Sequence, residues 1–203
     1  MAIELIKLNL TFDNITVLDD FCLELPSVGS VCLSGSSGCG KTTLLMVLAG
    51  LRRPASGLIQ GLQKRRISLL FQEDRLLPWL SAAQNVALAL PLARAKEARL
   101  WLEVVELAAE ADLLPRELSG GMRRRVALAR ALAYEGDILL LDEPSNGLDS
   151  DLARRVMGRI QERYIDRLLL TVTHDREFAA YQKTLIELSG PPLRVLSVKS
   201  MSN

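Results

Sequence analysis

Little in this chain offers a redox centre or a metal cage. Its 203 residues include three cysteines (Cys22, Cys32, Cys39), an odd number without ligand spacing, and a single histidine, His174. A disulfide framework and a His/Cys metal site are therefore excluded. Charge of one sign is lacking as well: 25 Lys and Arg against 24 Asp and Glu leave a net charge of +1. The whole molecule is not a polyelectrolyte built to coat nucleic acid. Long apolar runs are also missing. The longest uncharged and wholly apolar stretch, Val86 to Ala93, falls far short of the roughly 18–20 residues of a spanning helix. The N-terminus carries Glu4 and Asp13 in an alternating pattern and reads as a strand, not as a secretory signal. A soluble or membrane-peripheral, cytoplasmic protein is expected. Internal repeats, low-complexity tracts and heptads are absent, while 49% hydrophobic and 24% charged residues are enough for a buried core.

The patterning predicts an α/β chain. Residues 1–25 read as short strands with a turn near Asp13-Asn14, and Val31-Cys32-Leu33 as a brief apolar strand. A glycine cluster and a helical run, Lys41 to Leu51, come next, and strand, glycine loop and helix in that order point to a parallel sheet. Ile67 to Phe71 is a further strand candidate. From Ser81 to about Ala111 the period turns helical, with Leu100, Val104 and Leu107 expected on one face. Ile138 to Leu141, a helix over 149–165 and a strand Leu168 to Thr173 complete the outline.

Chemistry enters at Gly35-Ser36-Ser37-Gly38-Cys39-Gly40-Lys41-Thr42, which fits G-x-x-x-x-G-K-[ST] between a strand and a helix. Glycines let successive N–H groups point inward at an anion, and the helix start adds its positive dipole end. Lys41 can reach β- and γ-phosphate oxygens, Thr42 can offer its hydroxyl to Mg2+, and Thr43 can touch the α-phosphate. Cys39 reads as a small filler. The pattern predicts nucleoside triphosphate binding. The apolar run Ile138-Leu139-Leu140-Leu141 ends in Asp142-Glu143. A buried strand would deliver Asp142 to the phosphates, where it can hold Mg2+ through water, and Glu143 can orient or deprotonate the attacking water. His174 ends another apolar strand as Thr-His-Asp, where a γ-phosphate contact is expected.

The most specific feature is Leu118-Ser119-Gly120-Gly121-Met122 followed by Arg123-Arg124-Arg125-Val126-Ala127-Leu128. It resembles the signature of the ATP-binding cassette (ABC) ATPases, and the resemblance covers nearly the whole chain in order. It implies a P-loop NTPase (RecA-like) core with a small N-terminal antiparallel β-subdomain and an inserted α-helical subdomain. The chain would be one ABC ATPase domain, with residues 1–74 and 136–203 as the core and about 75–135 as the helical part. The resemblance further assigns Phe12 to adenine stacking and Gln72 to sensing Mg2+ and γ-phosphate. Residues Ser145 to Asp149 would link subunits, and His174 would be the switch histidine. Ser119, Gly120 and Gly121 at a helix start make a second anion site. The family fills that site by head-to-tail pairing, each ATP lying between one subunit's phosphate loop and its partner's Ser-Gly-Gly helix. The Arg123–Arg125 run reads as a solvated, ion-paired helix face. Met122 replaces a glutamine common in relatives, as in cassettes of the nitrate, sulfonate and taurine importer type.

Leu76-Leu77-Pro78-Trp79 after Gln72 looks like the surface with which importer cassettes grip a permease. The expectation is therefore an ATP-hydrolysing importer subunit using ATP and Mg2+, paired as a homodimer or with another cassette. It would be peripheral on the cytoplasmic face of the inner membrane, bound to permease subunits and served by a solute-binding protein, with no nucleic-acid partner. A soluble ABC ATPase acting on nucleic acid or ribosomes would want coiled-coil insertions or a second cassette. A P-loop kinase would have no use for Ser119 to Gly121, and an exporter or lipid-transport cassette stays open.

Overall fold

The structure is a computed structural model that describes residues 2–179 and 182–200. The chain opens with β1 (Ile3–Phe12) and β2 (Ile15–Leu25), an antiparallel hairpin. Its two turn residues, Asp13 and Asn14, have φ of 46° and 64°, the left-handed pair that two-residue hairpins need. Ile3, Leu5, Leu8 and Leu10 of β1 are buried. The register shifts between Leu5 and Leu8 around Lys7, whose φ is 48°, so alternation resumes one position later. A third strand, β4 (Ser56–Gln60), closes this small sheet on the other side of β1.

Between them in sequence come β3 (Gly29–Ser34) and α1 (Lys41–Leu48). The larger sheet adds β5 (Ile67–Leu70), β6 (Ile138–Asp142), β7 (Leu168–Thr173), β8 (Thr184–Ser189) and β9 (Arg194–Ser200). Its order is β5-β6-β7-β3-β8-β9, parallel except for the antiparallel β8–β9 pair. Every residue of β6 and β7 is buried, as expected of parallel strands covered on both faces. Alternate residues serve two cores. Leu139, Leu141 and Leu169 pack with the helices that follow, whereas Ile138, Leu140 and Leu170 pack with α1 and the small sheet.

Three α-helices lie between β5 and β6, α2 (Ala82–Ala87), α3 (Ala98–Val104) and α4 (Gly120–Ala133), with 3-10 turns at Leu92–Glu97 and Pro115–Glu117. Asn85, fully buried, organises their entry by accepting from Leu77 N–H and donating to the Leu77, Leu80 and Ser81 carbonyls. The predicted helical face is corrected here. Val104 and Leu107 are buried, but Leu100 is 57% exposed. The helix stops at Val104, Glu106 turns left-handed at φ 57°, and the face actually buried runs through Ala98 and Leu102. The remaining helices are α5 (Ser150–Arg163), capped by Asp149 accepting from Leu152 N–H, and the short α6 (Arg176–Ala179). No helix among the described residues is long and apolar enough to cross a membrane.

Candidate functional site

The sheet order explains why residues far apart in sequence meet. Four adjacent parallel strands, β5, β6, β7 and β3, end respectively next to Gln72, at Asp142, next to His174 and before the glycine loop. The carboxyl ends of parallel strands are where open α/β sheets receive ligands. A cleft of about 230 Å3 there is lined by Ser37, Gly38, Gly40, Lys41, Thr42, Thr43, Gln72, Asp142, Glu143 and Val172.

The glycine loop is shaped by its surroundings. A Cβ on Gly35 would collide with the Leu188 carbonyl, and one on Gly40, at φ 115°, would lie 2.9 Å from Val17. Gly40 also stands at the N-cap of α1, where no side chain caps the helix, so the first amides stay available for an anion. Lys41 is 6% exposed, and its ammonium donates to the Gly35 and Ser36 carbonyls at 2.7 and 2.8 Å. Cys39 is fully buried, consistent with a filler. Burial pushes the Cys32 thiol on β3 up to about 12, with the Glu143 charge adding to the effect, so it stays protonated and unreactive.

Asp142 is 3% exposed. Burial raises its pKa, Glu143 adds to the rise, and the Thr42 hydroxyl, Arg124 and Lys41 oppose it. Its Oδ1 has no hydrogen-bond partner among the described residues. Glu143 sits in a left-handed conformation at φ 49°, and its N–H donates to the Val172 carbonyl at 2.9 Å. That twist turns its carboxylate toward the end of β7. Thr173 Oγ1 donates to Oε2 at 3.0 Å, His174 N–H donates to Oε1 at 3.1 Å, and His174 Nδ1 lies 2.8 Å from Oε1. Glu143 and His174 thus form one unit, with the imidazole 67% exposed.

Two expected groups stand apart from this cleft. Phe12 is 44% exposed, not core, and one ring face carries the Arg52 guanidinium 4.0 Å from its centroid. Ser119, Gly120 and Gly121 do not line the cleft either. Ser119 caps α4, its hydroxyl accepting from Met122 N–H at 3.2 Å, while Ser119 and Gly120 remain exposed. Gly121 packs so tightly on the Gly147 carbonyl that a Cβ would not fit.

The arginine run is corrected. Arg123 is exposed, but Arg124 is 4% exposed and donates to the Phe71, Gln72, Asp142 and Glu143 carbonyls. Arg125 donates to the Val105 and Glu106 carbonyls. Spacing gives no sign of this, because Val126–Ala129 are buried all round the helix and period alone cannot say which arginine turns inward.

Comparison with known proteins adds an independent line. Residues 18–146 match the family described as ABC transporter. The aliphatic sulfonates import ATP-binding protein SsuB of Zymomonas mobilis is 42% identical over 189 residues, 89% of this chain and 79% of that one. The taurine import ATP-binding protein TauB of Pseudomonas aeruginosa is 38% identical over 196 residues, 89% of this chain and 74% of that protein. Among solved structures, the ATP-binding cassette MJ0796, dimeric in a post-hydrolysis state bound to ADP and Pi, superposes with a TM-score of 0.89. It is 27% identical, with 99% of both chains covered.

Proposed function

This chain belongs to the ABC transporter family, and on that premise we propose that it is the ATP-hydrolysing subunit of a small-solute importer, working as one of a pair of cassettes that drives a membrane permease. The observation that carries this reading is the convergence of Lys41, Thr42, Gln72, Asp142 and Glu143 on one cleft, while the Ser119 helix start lies outside it. Residues 1–74 and 136–203 act as the nucleotide-binding core, and about 75–135 as the helical part carrying the signature.

ATP lies with its phosphates over the loop from Gly35 to Thr43. Lys41 exchanges its two loop carbonyls for β- and γ-phosphate oxygens, a strong charge-assisted contact. Glu143 accepts a proton from the water that attacks the γ-phosphorus, while the bond to the β–γ bridging oxygen breaks, leaving ADP and inorganic phosphate. His174, already bonded to Glu143, orients that carboxylate and touches the γ-phosphate, and Gln72 reports its presence. The donor set fits Mg2+: Asp142 Oδ1, buried and with no hydrogen-bond partner among the described residues, beside the Thr42 hydroxyl offers hard oxygen ligands. Thr42, Gln72 and, through water, Asp142 would hold it, and when bound it neutralises charge on the β- and γ-phosphate oxygens. Phe12 stacks on adenine once Arg52 moves off its ring.

The partner cassette's Ser119, Gly120 and Gly121 complete each pocket, a reading supported by the dimeric state of the related cassette. Trp79, 70% exposed just beyond Gln72, suits contact with a permease. The relatives' names support import and an oxyanion such as a sulfonate as cargo. A solute-binding protein and a station on the cytoplasmic face of the inner membrane follow from that reading. The test is Glu143→Gln. It should keep ATP binding, accumulate an ATP-bound dimer in gel filtration and lower turnover by about 10²–10³-fold. Unchanged turnover would remove Glu143 from the role of base.

A further inference from the structure

The polypeptide just after β5 and the acid pair at the end of β6 are held by one side chain from a third element. Arg124, on α4, sends one guanidinium nitrogen to the Phe71 and Gln72 carbonyls at 2.5 and 3.0 Å, and that nitrogen lies 3.4 Å from Asp74 Oδ1. The other nitrogen donates to the Asp142 carbonyl and, at 3.1 Å, to that of Glu143. The side chain is 4% exposed, and burial lowers its pKa despite the opposing influence of Asp74. Desolvating an arginine is expensive unless the geometry repays it, and here the planar fork serves carbonyls on two separate segments, which a lysine's point charge could not do. A second arginine of the same helix extends the attachment: Arg130 donates to the Asp74 and Arg75 carbonyls at 2.7 and 2.8 Å.

Arg124 also stands only five positions beyond Ser119, about 7–8 Å along the helix axis. Any displacement of the α4 start therefore pulls on the main chain at Gln72 and at Glu143 together. We propose that Arg124 is a positioning residue for hydrolysis, fixing Gln72 and Glu143 relative to each other and tying both to the helix that begins at Ser119. It touches no reacting atom. The inference rests on the roles given to Gln72 and Glu143 above.

The full chain carrying Arg124→Gln, Arg124→Met or Arg124→Lys is compared with wild type and, in parallel, with Glu143→Gln. Turnover, KM for ATP and the fraction of molecules that bind a fluorescent ATP analogue are measured. The glutamine and methionine variants should lose about 10–100-fold in kcat per binding-competent site, with KM within about threefold, since misplacement of an ångström is enough for such a loss. Lysine should not restore it. A purely structural role would reduce the number of competent molecules and leave kcat per competent site unchanged, which would overturn the proposal. If methionine prevents folding, the glutamine and lysine variants decide the matter by the same criterion. Wild-type kcat per site in Arg124→Gln, alongside a silent Glu143→Gln, would sink this inference alone. Turnover retained in Glu143→Gln would instead sink the site reading beneath it.

Discussion

Two helices of this chain begin in glycine-rich turns, and they are prepared for an anion in opposite ways. At α1 the N-cap is Gly40, no side chain satisfies the first amides, and Lys41 sits buried behind them on two loop carbonyls. At α4 the N-cap is Ser119, whose hydroxyl is already engaged by Met122 N–H, and the turn lies exposed at the surface. The first start faces two acids, Asp142 and Glu143, at the carboxyl end of the large sheet, whereas the second lies outside that cleft. Glycine content alone does not make a site. Position relative to the sheet decides which helix start lines the cleft, and under the proposed pairing the other serves the pocket of a second molecule.

That contrast can be broken at either end, and the larger effect belongs to α1. Lys41→Ala should weaken ATP binding by on the order of 100-fold, read as Kd by fluorescence titration, because it deletes a charge-assisted phosphate contact. Equal affinity in both proteins would contradict the phosphate-loop reading. At α4 the informative change is Ser119→Asp, since aspartate caps a helix as well as serine does. Stability and ATP binding by the single chain should stay close to wild type, with unfolding free energy within about 0.5 kcal/mol. ATP-dependent dimerisation should fall by about tenfold or more, because the new carboxylate faces phosphate. Normal dimerisation would leave Ser119 a helix cap and nothing further.

The smallest effect sharpens what the finished pocket holds. Burial raises the Asp142 pKa in the folded chain, so the protonated form favours folding. That contribution is full below the unfolded carboxylate value and is lost as pH rises through the folded one. Asp142→Asn should therefore raise the thermal midpoint of the nucleotide- and metal-free protein at neutral pH, with the gain fading toward acid. A gain that persists unchanged in acid would mean that the carboxylate's ionisation is not its source.

Much of this was legible in the sequence. The β1–β2 turn at Asp13-Asn14, the strand Leu168–Thr173 and the loop before Lys41 announce themselves through residue types with few alternative conformations. The cleft was legible too, because Lys41, Asp142 and His174 each follow an apolar strand, and parallel strands end on one side. What escaped was tertiary. Leu100 carries the right spacing but faces solvent because α3 buries the opposite side, through Ala98 and Leu102; the break after Val104 takes Leu107 out of the helix altogether. Arg124 reads as one of three surface arginines, yet it is buried, since its partners are main-chain carbonyls that carry no residue signature. Asn85 was missed for the same reason.

The most direct measurement mixes Lys41→Ala chains with Ser119→Asp chains and follows ATP hydrolysis. Each variant alone should be inactive, because both pockets of its dimer are damaged. In the mixed dimer one pocket pairs an intact phosphate loop with an intact helix start, so random mixing should recover about a quarter of wild-type turnover. No recovery, with both chains folded and mixed dimers demonstrated by cross-linking, would contradict the claim that each copy completes the other's pocket.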